Sequence, residues 1–86
     1  MLIKSLGDKN MDKLIEILKS VRDDVDFENE TALIDDEILD SFDIVEIVSE
    51  ISDEFDVNIT VNELLPENFN SVKAMWKLIE QLQENI

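Results

Sequence analysis

Hydrophobic residues recur at helical spacing in three stretches of the chain, and stretches rich in acids separate them. Within each stretch the spacing of three and four residues places the hydrophobic side chains on one face of a helix. The three stripes consist of Leu14, Ile17, Leu18 and Val21; of Ile44, Ile47, Val48, Ile51 and Phe55; and of Val72, Met75, Trp76, Ile79 and Leu82. They predict a first helix over about residues 11–22, a second over about 41–55, and a last helix that starts after its N-cap, Asn70.

The segments between these helices carry other signals. Residues 23–39 form a long connection in which acids alternate with hydrophobic residues, so we expect it to pack across helix ends. A short helical turn is predicted over about residues 60–65, with Thr60 as its N-cap and Pro66 as its stop. Residues 1–10 show no clear period and are expected to form a loose tail, which leaves residues 11–86 as a single domain.

Composition favours a small all-α fold. The chain has 86 residues with one glycine and one proline, which leaves little turn chemistry for a β fold. We therefore expect a small four-helix bundle with three longer helices, one short helix and a long first loop. The chain has no cysteine and no histidine, so a disulfide framework is excluded and zinc, haem or Ser-His chemistry is disfavoured.

The charge of the chain narrows the choice of partners. Net charge is -15, and no basic residue lies from Asp23 to Val72. Phosphate groups need Lys and Arg, so this balance argues against binding to nucleic acid or anionic lipid. It favours partner proteins with basic patches. The apolar runs are too short for a membrane span and the first residues lack a secretory signal, so we expect a cytoplasmic location. We also expect the protein to be a monomer.

A serine opens the second helix, directly after Asp40. Ser and Asp are both preferred N-caps, so the simplest interpretation of Ser41 is a helix cap. A nucleophilic serine would need a neighbouring general base, and none is evident. A third interpretation is a modification site, because the positive end of a helix dipole tolerates a phosphate group and a separate enzyme would supply the activation.

Two further hypotheses concern the acids. The five residues at positions 1, 3, 5, 7 and 12 of an EF-hand-like loop are Asp24, Asp26, Glu28, Glu30 and Asp35. The sixth position is Asn29 where the motif requires glycine, and position 12 is an Asp instead of the usual Glu, so we expect no dedicated metal site.

An alternative to a modified protein is an unmodified acidic helical interaction module, such as an inhibitor that mimics nucleic acid. Such a module would not need Ser41.

Two stretches carry a resemblance to a known family. LIDDEILDSFDIVEIVSEISDEFDV resembles the acyl carrier proteins around their phosphopantetheine attachment site, where Asp-Ser and a large apolar residue precede an acidic helix ending in Glu-Phe-Asp. The matching residues are Asp40, Ser41, Phe42, Glu54, Phe55 and Asp56. ITVNELLPENFNSVKAMWKLIEQL is similar to the short third helix and the fourth helix of that family, so the resemblance covers roughly residues 12–82.

The resemblance implies a carrier and not an enzyme. Ser41 would receive 4'-phosphopantetheine from coenzyme A through a magnesium-dependent phosphopantetheinyl transferase, and the arm would hold an acyl or aminoacyl thioester. An adenylating ligase or an acyltransferase would load it, and downstream acyl-processing enzymes with basic docking patches would use it. The resemblance implies that the transferase and these partners recognise Asp40, Phe42, Asp43, Val45, Glu46, Glu50 and Asp53.

The chain also departs from the family's pattern. Many members have a glycine three or four positions before the serine, whereas this chain has Ile38 and Glu37 there, and either would strain a turn with positive φ. Ser49 stands where fatty-acid carriers often have an apolar contact residue. The ILDS and ELLPENFNS segments are closer to the D-alanyl carrier proteins and other stand-alone carriers that an adenylating ligase serves. Fatty acyl, D-alanyl, other aminoacyl and polyketide intermediates are all compatible as cargo.

Overall fold

The computed structural model describes the backbone of residues 2–84 and the side chains of residues 11–84. It contains four α-helices, α1 (Leu2–Val21), α2 (Ser41–Phe55), α3 (Pro66–Phe69) and α4 (Val72–Glu84), and a 3-10 turn over Val61–Glu63. No strand occurs among residues 2–84. The expected architecture of three longer helices, one short helix and a long first loop is therefore confirmed.

The three hydrophobic stripes meet in one core. Its fully buried side chains include Leu14 and Leu18 from α1, Ile47 and Ile51 from α2, and Met75 and Ile79 from α4. Burying an aliphatic side chain of this size stabilises a fold by about 1.5–3 kcal/mol. At the C-terminal end of α2, the ring centroids of Phe55 and Trp76 lie 5.8 Å apart at an interplanar angle of 72°, which is the favourable edge-to-face arrangement.

Helix α1 begins earlier than the periodicity indicated. Its backbone is helical from Leu2, nine residues before the predicted start, so residues 2–10 continue the helix where a loose tail was expected. This segment shows no clear hydrophobic period, so periodicity gave no signal for the extension. The division of the chain into residues 1–10 and a domain over 11–86 stays a prediction.

The long loop between α1 and α2 is part of the packed structure. Val25, Phe27, Leu33 and Leu39 are all buried in the core, as the alternation of acids and hydrophobic residues indicated. These side chains fix the path of a loop that has no regular secondary structure.

Asn70 clamps this loop to the end of α3. Its Oδ1 accepts hydrogen bonds from the backbone N–H groups of Ile34 and Asp35 at 2.9 and 3.0 Å, and its backbone carbonyl accepts from the Leu33 N–H at 2.9 Å. The prediction that Asn70 caps α4 is therefore wrong. Ser71 takes that place, since its Oγ accepts from the Ala74 N–H at 3.1 Å.

Thr60 caps the 3-10 turn, as predicted. Glu63 Oε1 accepts from the Thr60 hydroxyl at 2.6 Å and from the Thr60 N–H at 2.8 Å. These two hydrogen bonds lower the pKa of Glu63. The role predicted for Pro66 is wrong, because it starts α3 instead of ending the turn before it. Proline suits the first position of a helix, where its missing N–H would have no partner.

Candidate functional site

The start of α2 is fixed by a reciprocal cap. Asp40 is the N-cap in an extended conformation, and its Oδ1 accepts from the Asp43 N–H at 2.9 Å. In return, Asp43 Oδ2 accepts from the Asp40 N–H at 3.2 Å. The helix therefore satisfies two of its free backbone donors without using a hydroxyl group.

Ser41 stands immediately after this cap, as the first residue of α2. The capping interpretation thus applies to Asp40, while the Ser41 hydroxyl takes no part in the cap. The side chain of Ser41 is exposed. Its position at the N-terminal end of a 15-residue helix places it near the positive end of the helix dipole. A phosphodiester at this oxygen would be accessible to an enzyme and electrostatically favoured.

Arg22, which sequence reasoning passed over, supports the cap from the end of α1. Its Nη1 donates to Asp43 Oδ2 at 2.8 Å and to the Ile38 carbonyl oxygen at 3.1 Å. Its Nε and Nη2 donate to the two carboxylate oxygens of Asp24 at 2.9 and 3.0 Å. These contacts with Asp24 and Asp43 raise the pKa of Arg22, and the contact with Arg22 lowers the pKa of Asp24. The pair of Arg22 with Asp24 is therefore ionic throughout the physiological range.

The loop before Ser41 makes its turn without glycine. Glu37 has φ 56°, in the left-handed region that favours glycine, and it is one of the two residues at which the sequence predicted a strained turn. The turn is held by backbone hydrogen bonds from Glu37 to Ile34 and from both Ile38 and Leu39 to Leu33, each 3.0 Å long. A residue with a β-carbon in this conformation costs about 1–2 kcal/mol. The strain expected at this departure is therefore localised at Glu37.

Two large apolar side chains beside Ser41 face solvent. Phe42 is 85% exposed and Val45 is 68% exposed, so neither contributes to the core. Glu46, Glu50 and Asp53 are also exposed and recur at intervals of four and three residues, which aligns them along one side of α2. The predicted recognition residues on α2 thus form an exposed strip of apolar and acidic side chains.

Asp43 differs from the other predicted recognition residues. Its side chain is only 14% exposed, because it lies against Arg22 and within the cap. The Asp43 carboxylate is therefore turned toward Arg22 and the cap, whereas the other predicted recognition residues on α2 are exposed.

An apolar groove opens near the start of α2. It has a volume of about 110 Å³ and is lined by Ile34, Ile44, Leu64, Leu65, Pro66 and Phe69. Ile44 lies three residues after Ser41, less than one helical turn away. The groove was not predicted, because its lining comes from three separate segments of the chain.

The acids of the EF-hand-like stretch do not converge. No group of three acids suited to a metal ion occurs among the residues that the structure describes. Asp24 is paired with Arg22, and Asp35 Oδ2 accepts from the Asn70 side chain at 3.2 Å. Phe27, in the middle of the stretch, is buried in the core. Asp26 Oδ2 accepts from the Asn29 side chain at 2.8 Å. The stretch is therefore a packed connection in which three of the five acids have side-chain partners.

No helix within the described part of the chain is long and apolar enough to cross a membrane.

The site geometry agrees with a comparison of the sequence with protein families. The family model described as "phosphopantetheine attachment site" matches residues 12–79, which is well over half of the chain. The match includes the cap, Ser41, the exposed strip of α2 and the groove. No curated protein matches the chain. The resemblance to the acyl carrier proteins is thus confirmed at the level of the family, and the chain belongs to the phosphopantetheine attachment site family, whose members carry a covalently attached 4'-phosphopantetheine.

Proposed function

We propose that Ser41 is the attachment point of the phosphopantetheine and that the chain presents an acyl or aminoacyl group to partner enzymes. The observation that carries this proposal is the exposed Ser41 hydroxyl at the first position of α2, which the Asp40 cap leaves free. The residues fit the group, because a phosphodiester there would face water and the helix dipole. When bound, the arm supplies a terminal thiol that holds cargo as a thioester.

The exposed strip of α2 is the proposed docking surface. Phe42 and Val45 offer apolar contacts beside the attachment point, and Glu46, Glu50 and Asp53 offer charge to basic patches. Such an arrangement supports fast, salt-sensitive association with successive enzymes. The proposed partners are a phosphopantetheinyl transferase, an adenylating ligase or acyltransferase, and downstream acyl-processing enzymes. Asp40 is proposed to help the transferase place its metal ion.

Asp43 differs from the rest of the proposed docking surface, because its carboxylate is engaged within the protein. Its carboxylate already accepts hydrogen bonds from Arg22 and from the Asp40 backbone. A partner that pulled it outward would have to break both bonds. Asp43 therefore contributes to recognition chiefly through the shape it gives the start of α2.

The small volume of the groove favours a short acyl group as the cargo. Its volume of about 110 Å³ is smaller than that of an apolar cavity that encloses benzene, about 150 Å³. A short apolar acyl group would gain by entering it, whereas an aminoacyl group would keep its ammonium in water, because burial of an unpaired charge is costly. The likeness to D-alanyl carriers favours aminoacyl cargo and the apolar lining favours acyl cargo, so both remain in the proposal.

Intact-protein mass spectrometry tests the attachment point. With coenzyme A, Mg²⁺ and a transferase, the chain should gain the mass of one phosphopantetheine. Ser41→Ala should abolish the gain, and Ser49→Ala is the matched control, because Ser49 is an exposed serine on the same helix. An unchanged mass with several competent transferases would favour the unmodified interaction module.

The holo form then distinguishes the cargo classes. It should be incubated in parallel with adenylating ligases plus amino acids or fatty acids, and with acyltransferases plus acyl-coenzyme A. Mass gain with one class of loading enzyme identifies the thioester, and the Ser41→Ala variant must stay unloaded. Failure to load with every class would contradict the carrier role. Monomeric state and cytoplasmic location stay predictions, which gel filtration and cell fractionation would check.

A further inference from the structure

We propose that Arg22 is a positioning residue for the modification of Ser41. The inference rests on the proposed function, because it assumes that Ser41 receives the arm. Arg22 lies at the end of α1 and contacts the polypeptide on both sides of the Asp40–Ser41 pair. It thereby sets where the start of α2 lies relative to the rest of the domain.

The contacts of one nitrogen atom carry the argument. Arg22 Nη1 donates to the Ile38 carbonyl oxygen at 3.1 Å and to Asp43 Oδ2 at 2.8 Å. Ile38 precedes Ser41 by three residues and Asp43 follows it by two. The same Asp43 oxygen accepts the Asp40 N–H at 3.2 Å, so the cation and the helix cap share one acceptor. Displacing the guanidinium would therefore loosen both the loop and the cap.

The side chain and the backbone of Arg22 are each fixed by hydrogen bonds. Its other donors form a two-point contact with Asp24, at 2.9 and 3.0 Å. The Arg22 backbone N–H donates to the Leu18 carbonyl at 2.9 Å, which continues the hydrogen bonding of α1. Hydrogen bonds between a planar guanidinium and carboxylates are strong and directional. Arg22 thus connects α1, which is anchored in the core, to the first turn of α2.

A direct docking role for Arg22 is disfavoured by charge. The proposed partners bring basic patches to an acidic surface, and a cation would repel them. The Arg22 side chain is also only 31% exposed, since its donors point toward its own chain. An effect of Arg22 on the transferase reaction would therefore come through the placement of Ser41.

Lys13 provides the matched control. Its ion pair with Glu54, at 3.6 Å, also joins α1 to α2, but it lies near the opposite end of α2 from Ser41. Both partners are about half exposed, so the pair contributes little to stability. Lys13→Gln and Arg22→Gln remove the same charge and keep similar chain length, and only the second breaks the contacts around Ser41.

The experiment measures kcat and KM of a phosphopantetheinyl transferase acting on the apo forms of these proteins, below their melting temperatures. Arg22→Gln should lower kcat by about ten- to a hundredfold, because small misplacements of a reacting group cost this much, while KM for the carrier changes less than about twofold. Lys13→Gln should change both constants less than about twofold. Amide hydrogen exchange of Asp40 and Asp43 should accelerate in Arg22→Gln only.

Asp24→Asn is the second variant. It removes the negative charge and one of the two oxygen acceptors that orient the guanidinium, while leaving Arg22 in place. It should lower kcat by a few-fold and keeps the test decisive if Arg22→Gln does not fold. Equal kcat in Arg22→Gln and wild type, or a loss confined to KM, would overturn the positioning role. If the wild-type chain takes up no arm at Ser41, the proposed function itself fails. Modification of wild type with an unaffected Arg22→Gln variant would contradict only the present inference.

Discussion

Asp40 and Asp43 each bind the other's backbone N–H, at 2.9 and 3.2 Å, and so close the first turn of α2 beside an exposed serine. This arrangement separates two roles that a single serine could have combined. The two aspartates form the cap at the helix start, and the Ser41 hydroxyl takes no part in it.

The two roles of Asp40 can be separated by two substitutions. Asp40→Asn keeps an oxygen that can cap the helix, whereas Asp40→Ala removes it and should lower the free energy of unfolding by about 1 kcal/mol. We expect both variants to be modified poorly by the transferase, because both lack the carboxylate proposed to help place its metal ion. Urea unfolding and the mass assay measure the two effects. Full modification of Asp40→Asn would show that Asp40 serves only as a cap.

The left-handed conformation of Glu37 predicts a stabilising substitution. Glu37→Gly should raise the free energy of unfolding by about 0.5–1 kcal/mol, since glycine adopts φ 56° without strain, offset in part by its greater freedom in the unfolded chain. Glu37→Gln is the control, because it removes the same charge and keeps the β-carbon. Urea unfolding of the three proteins decides the matter. Equal stabilisation by both substitutions would attribute the gain to charge and not to strain.

The Asn70 clamp predicts a large loss from a small truncation. Asn70→Ala leaves the N–H groups of Ile34 and Asp35 without their acceptor and should cost about 1–3 kcal/mol of unfolding free energy. Asn58→Ala should change stability by less than about 0.5 kcal/mol, because Asn58 is exposed. Chemical denaturation followed by circular dichroism would compare them. Similar small losses in both variants would mean that the loop is held by its buried side chains alone.

The lowered pKa of Asp24 predicts how acid affects the Arg22 contacts. The hydrogen bond from Arg22 lowers the pKa of Asp24 below its ordinary value of 3.8, so the unfolded chain binds a proton more readily than the folded chain. Its stabilising contribution is therefore fully present above that ordinary value and is lost as pH falls through the lower folded value.

Unfolding of wild type and Asp24→Asn over a series of pH values tests this sign. The difference in stability should be constant at neutral pH and should shrink toward zero at the acid end. It should also be small, since Asp24 is largely exposed and water screens the pair. A difference that grows with acidity would contradict the assignment.

The uneven charge predicts a dependence on salt. Because the chain carries a net charge of -15, its carboxylates repel one another and the folded state should loosen at low ionic strength. The melting temperature should rise between about 0.01 and 0.15 M NaCl, as the screening length falls from roughly 30 to 8 Å. A double variant, Glu46→Gln with Glu50→Gln, should respond less steeply. A thermal melt insensitive to both salt and divalent cations would argue against this repulsion.

Sequence patterns predicted the helices and the exposed serine better than the contacts that hold them. Helical periodicity found α2 with its bounds, because a 15-residue helix with one buried face has an unmistakable spacing. The short helix was placed over about residues 60–65, whereas α3 covers Pro66–Phe69. Four residues are too few to show a period, and Pro66 can either end one helix or begin another. Local rules placed an N-cap on Asn70, but tertiary contacts with the loop use that side chain instead.

The contact of Arg22 with Asp43 could not have been predicted from residue spacing. Arg22 and Asp43 are 21 residues apart, and their contact depends on how the whole loop folds. A charged residue at the end of a helix is common, so Arg22 carries no signal by itself. Only the three-dimensional path of the chain brings it to Asp43. The residues of the candidate site were thus evident in the sequence, while the contacts that hold the start of α2 were not.

The edge-to-face contact of Phe55 with Trp76 provides a fluorescence signal for following conformational change in this domain. Trp76 is the single tryptophan of the chain, so its fluorescence arises from one known place, where α2 meets α4. A separation of these helices would change the surroundings of Trp76, and with them the emission maximum and the intensity of its fluorescence. The unlabelled protein therefore contains its own optical reporter for stopped-flow measurements.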